Sequence, residues 1–93
     1  MKSENPAVSP VKTTKTVFDV IEGVEELDEP RASEVAEHLG LSVSTVHDHL
    51  TTLVDLGYLV REDQHYRLGL RFLRLGERAR RNVHFDPVKS RLD

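Results

Sequence analysis

The sequence predicts a mainly α domain with one small β-hairpin, an α+β fold in which three core helices precede the hairpin and a further helix follows it. Three observations carry this reading. Apolar residues recur at three- and four-residue spacing through the first half. Gly40 and Gly57 each close such a stretch, where a left-handed residue ends a helix. The pattern then changes to short runs of β-formers around a polar tip. Ninety-three residues allow one domain with a modest core, and the absence of cysteine excludes a disulfide framework and Cys-based zinc sites. Apolar runs such as Tyr58-Leu59-Val60 fall far short of the ~20 residues of a membrane span. No signal-like apolar stretch stands near the start, so a cytoplasmic protein without a membrane partner is expected.

Each element has its own justification. Residues 1–10, MKSENPAVSP, mix Pro, Ser and Asn without periodicity and are expected to form a flexible arm. Val17, Val20, Ile21, Val24 and Leu27 predict the first helix, with Asp19, Glu22 and Glu26 on its other faces. Thr13 or Thr14 is the expected cap, and Pro30 bars continuation. Ser33 is the expected N-cap of a second helix, Glu34 complements its N-terminal end and Gly40 stops it. Leu41 bridges to Ser42, the expected N-cap of a third helix, in which Val46, Leu50 and Leu53 fall at i, i+4 and i+7 before Gly57. Two helices joined by a few residues containing glycine make a helix-turn-helix.

The segment YLVREDQHYRL predicts a hairpin with its tip at Glu62-Asp63-Gln64. Gly69 separates it from LRFLRLGERARR, a basic helix with Phe72, Leu75 and Ala79 on one face. Asp86-Pro87 is a further helix-start signal, followed only by VKSRLD. Taken together the order is that of a winged helix-turn-helix: residues 11–69 form the domain and residues 70–85 a linker helix and loop.

Net charge is −3, but the distribution is uneven. Residues 1–57 hold 4 basic against 11 acidic residues, a net of −7; residues 58–81 hold 7 arginines against 3 acids, a net of +4. A polyanion is therefore expected at the second half or beside it. Asp/Glu-rich segments with few lysines also suit a salt-loving source, where salt screens the repulsion.

The wording of the chain is more specific than its fold. SEVAEHLGLSVSTVHDHLTTLVDLGY followed by YRLGLRFLRLG resembles the N-terminal DNA-binding domain of IclR-type transcription regulators, whose text runs E-[LIV]-A, S-T-V-[HY]-R-x-L, then Y-x-L-G before a linking helix. The resemblance covers about residues 11–81, and its final segment is the most family-specific. Departures are Asp48 where the family places a base, Val43 where Lys is frequent, Thr16 for a common Arg, and a shortened wing tip without glycine. What the resemblance implies is sequence-specific binding of double-stranded DNA at a palindromic operator by a homodimer. It further implies control by a small-molecule effector on a larger C-terminal domain, of which residues 86–93 are expected to be the truncated start. No cofactor and no metal are implied.

From Ser42 to Gly57 the expected reading helix contains no Lys or Arg. Base edges are read by hydrogen bonds and methyl contacts, whereas cations mostly supply phosphate affinity, so the two tasks can be divided. With Val46, Leu50 and Leu53 turned inward, Val43, Ser44, Thr45, His47, Asp48 and Thr51 face outward as candidate base contacts. Candidate phosphate contacts are Arg61, Arg67 and His65 of the wing, the helix N-terminal amides at Ser33 and Ser42, and Lys12 or Lys15.

Plainer readings stand beside these. Asp48 alone is also a solvated helix residue, and His47 and His49 diverge too far around the helix for a metal pair. Ser, His and Asp in STVHDH lack the geometry of a triad, so no enzyme is expected. Arg71, Arg74, Arg78 and Arg81 form a stripe that suits a solvated face or a dimer surface as well as phosphate, and Phe18 is free to join a dimer seam. The competing function is a winged-helix protein-interaction module without DNA binding, suggested by the acidic first half and Asp48.

Overall fold

The structure is a computed structural model that describes residues 10–82. Its elements are α1 (Pro10–Leu27), α2 (Ala32–Leu39), α3 (Val43–Asp55), β1 (Leu59–Glu62), β2 (His65–Leu68) and α4 (Leu70–Asn82). Of the expected arm at residues 1–10, residues 1–9 lie outside the described residues and Pro10 instead opens α1, and the helix start at Asp86-Pro87 also lies outside them.

Packing follows the apolar spacing. Val20 and Val24 of α1, Val35 and Ala36 of α2, and Val46, Leu50 and Leu53 of α3 form one buried cluster, closed below the hairpin by Leu59 and Tyr66. Val17, Ile21 and Leu27 border it half-buried. Leu50 and Val46 are fully buried, so α3 is held along its whole inner side.

Helix ends show where local reasoning holds. Gly40 is left-handed at φ 70°, and the amides of Gly40 and Leu41 return to the carbonyls of Glu37 and Ala36. Ser42 caps α3 as expected, its Oγ accepting from the Thr45 amide at 3.2 Å. Gly57, at φ 89°, closes the other end.

Two caps differ from expectation. α1 begins at Pro10, ahead of Thr13 and Thr14, because a proline in the first turn gives up no helical hydrogen bond. Ser33 is not the N-cap of α2; extended Arg31 is, and Ser33 lies inside the first turn. The Glu34 carboxylate accepts from the Arg31 amide at 2.7 Å, so the residue that reaches back, and not the hydroxyl, sets the boundary.

The hairpin pairs Leu59 with Leu68 through Glu62 with His65, leaving a two-residue turn, Asp63-Gln64, with Glu62 in the strand and not at the tip. Both turn residues have positive φ, 54° and 68°, as a tight hairpin turn demands even without glycine. Asp28 and Glu29 are left-handed too, at φ 61° and 56°, and the turn they make offers the Pro30 carbonyl to the Tyr66 amide at 2.9 Å. The second strand is thus fastened to the α1–α2 connection.

α4 departs from the body. It contains no buried residue, and of the expected face Phe72, Leu75 and Ala79 only Phe72 is half-buried, tilted against Tyr58 with ring centroids 5.1 Å apart. Leu75 and Ala79 are exposed, because periodicity marks an apolar stripe without saying what meets it. Gly69 roots the helix: its amide donates to the Tyr58 carbonyl at 2.8 Å, and a Cβ there would stand 2.8 Å from the Gly57 carbonyl oxygen. Among the described residues no helix is long and apolar enough to cross a membrane.

Candidate nucleic-acid interface

The inward anchors of α3 leave one side of the helix to solvent. Val43, Ser44, Thr45, His47, Asp48 and Thr51 are all exposed there, the set that the spacing predicts. His49 is half-buried on the inner side. At the N-terminal end the hydroxyls are interlinked: Ser42 Oγ donates to Thr45 Oγ1 at 2.8 Å and lies 3.4 Å from Ser44 Oγ. Since the same Ser42 oxygen caps the helix, this serine orients its neighbours, while Ser44 and Thr45 keep capacity for a partner. Thr52 is also exposed, but its hydroxyl returns to the Asp48 carbonyl at 3.1 Å.

The cations lie elsewhere and are partly occupied. Arg61 donates to Gln64 Oε1 at 2.9 Å, and Arg67 pairs with Glu62 at 2.7 Å. Because Arg61 pairs with Tyr66 and Arg67 with Val60, the two arginines point to opposite faces of the hairpin. Glu62 and Arg67 are 68% and 44% exposed, so water screens their pair and phosphate can compete with the carboxylate at small cost. His65 is drawn inward, its Nδ1 donating to the Glu29 carbonyl at 2.8 Å. Lys15 is engaged by Asp19 one turn along α1, at 3.0 Å.

Ser33 is exposed in the first turn of α2, where helix amides lack partners within the helix. Beside it stands exposed Arg31, which the sequence reading passed over. A signal was present: it is the one base between Lys15 and Arg61. Its place at a helix N-terminus joins a fixed charge to the helix dipole, a setting suited to an anion.

The family model for the IclR helix-turn-helix domain matches residues 16–63. The chain is 33% identical over 82 residues to the HTH-type transcriptional regulator KdgR of Escherichia coli (strain K12), covering 86% of this chain and 30% of that protein. KdgR of Dickeya chrysanthemi is 32% identical, with 86% of this chain and 26% of the relative covered. The present chain therefore spans about a third or less of the curated relatives it matches. Among solved structures, Pseudomonas aeruginosa HmgR superposes with a TM-score of 0.67 at 32% identity, over 73% of this chain and 30% of that one. An IclR family transcriptional regulator from Brucella abortus does so with a TM-score of 0.73 at 26% identity, over 99% and 35%. These relatives lend no support to the interaction-module reading. The helix-turn-helix, its hairpin wing and the matched residues agree, and the chain belongs to the IclR family of transcription regulators through its helix-turn-helix domain.

Proposed function

We propose that this domain binds a palindromic operator in double-stranded DNA sequence-specifically, as one head of a homodimeric transcription regulator. The observation that carries the reading is the face of α3, whose six outward side chains are exposed above a fully packed inner side. Ser44, Thr45 and His47 supply hydrogen-bonding groups, Val43 a surface for a thymine methyl and Asp48 an acceptor for cytosine N4. Arg61, Arg67, Arg31 and the α2 amides near Ser33 supply phosphate attraction.

Residues 11–69 act as the DNA-binding unit in this reading and residues 70–85 as the linker. Control by a small-molecule effector belongs, in this reading, to the whole regulator, of whose relatives this chain spans about a third or less. The protein works in the cytoplasm. The acid-rich first half supports a salt-adapted source, and transfer to dilute buffer is then expected to lower Tm. An unchanged Tm would count against that adaptation.

The test is fluorescence anisotropy with a labelled palindrome from upstream of the protein's own gene, beside a random duplex, across a salt series. Preference for the palindrome that persists at high salt is expected, because base contacts release few counterions. Equal affinity for both duplexes would refute specific reading by α3.

A further inference from the structure

The hydroxyls at the start of α3 form a directed chain. Ser42 Oγ accepts from the Thr45 amide at 3.2 Å and donates its one hydrogen to Thr45 Oγ1 at 2.8 Å. That direction leaves the hydrogen of Thr45 itself to be placed. Elsewhere in the helices such a hydrogen returns to the chain: Thr16 gives its own to the Lys12 carbonyl at 3.0 Å and Thr52 to the Asp48 carbonyl at 3.1 Å. Among the described residues nothing takes the hydroxyl hydrogen of Thr45, which stands exposed on the outward side of α3. Ser44 is not fixed in this way, because its 3.4 Å separation from Ser42 Oγ is long for a hydroxyl pair.

We propose that Ser42 is a positioning residue that makes Thr45 a hydrogen-bond donor toward DNA, so that Thr45 selects a base edge bearing an acceptor: purine N7, guanine O6 or thymine O4. The inference rests on the operator reading above and adds the direction of one contact. Its physical basis is the cost of a mismatch. A donor pressed against the amino group of cytosine or adenine loses its water and gains nothing, whereas one facing an acceptor exchanges one bond for another. A hydroxyl without the bond from Ser42 would rotate to donate or accept and would tolerate both. Asp48, three residues on along the same exposed side, has the opposite character, since a carboxylate only accepts. The face thus presents a donor followed about one turn later by an acceptor. In the major groove each base pair carries a keto group on one strand and an amino group on the other, so this order favours one strand orientation over its inverse.

Ser42→Asp separates capping from direction. Aspartate is an equally good N-cap, yet its carboxylate has no hydrogen to give, so the Thr45 hydroxyl turns inward and donates to it. Ser42→Thr keeps both functions. The unmodified chain first selects duplexes from a random pool, and anisotropy then gives Kd for the enriched duplex and for copies with single base pairs inverted. Thr45→Val marks the pair that Thr45 reads, by losing about tenfold of discrimination there. The expected result is the same loss for Ser42→Asp with an unchanged melt, full retention for Ser42→Thr, and no further loss when Ser42→Asp is added to Thr45→Val. A carboxylate acting only through its charge would weaken every duplex by one factor and leave these ratios alone. Replacing the keto oxygen at that pair by sulfur, or the purine N7 by C–H, tests the contact with the protein unchanged, and one of the two should cost about tenfold. Unchanged discrimination in Ser42→Asp, or indifference to both replacements, would overturn the direction and leave specific reading by α3 standing. A pool from which nothing is enriched would overturn both.

Discussion

α3 and α4 are helices of equal length, 13 residues each, put to opposite uses. α3 buries Val46, Leu50 and Leu53 and carries no Lys or Arg; α4 buries nothing and carries five arginines. In α3 the core fixes the helix and with it the side that stays outward, a placement that recognition of base edges requires. In α4 charge is plentiful but little packing holds it. The contrast teaches that this domain keeps its placement on one element and its positive charge on others.

The strongest way to break the contrast is through the core. Leu50→Ala should cost about 2–5 kcal/mol in chemical denaturation, since a fully buried leucine leaves a cavity under α3. Next comes the face itself: Thr45→Ala should remove about 1–3 kcal/mol of preference for the palindrome over random duplex, read as the ratio of the two Kd values. Equal loss on both duplexes would deny Thr45 its role. Arg61→Ala should weaken both duplexes alike and lower the slope of log K against log salt by about 1, if its bond to Gln64 yields to a phosphate. The smallest effect belongs to α4, where Leu75→Lys should leave stability within about 0.5 kcal/mol, because that leucine is already half in water.

What could be read from the chain alone divides along the same line. Ser42, Gly40 and Gly57 were legible because a cap depends on a few neighbouring residues. The outward set of α3 followed from the three residues that face inward. Illegible were features decided across the chain: the inward turn of His65 needs the Glu29 carbonyl, 36 residues away in sequence. Arg31 is a single charge within an acidic segment, and only its place at the start of a helix sets it apart. The face of α4 could not be assigned, since its leucines match the core pattern whether or not a partner exists.

The root of α4 has a mechanical meaning. Gly69 bonds the Tyr58 carbonyl, Phe72 leans on the Tyr58 ring and the Arg71 guanidinium sits 5.3 Å above it. Tyr58 directly follows Gly57, the residue that closes α3. A torque applied along α4 therefore enters the domain at the joint where α3 ends and the hairpin begins. The arm is long, the fulcrum is one tyrosine, and the load falls where α3 hands over to the hairpin.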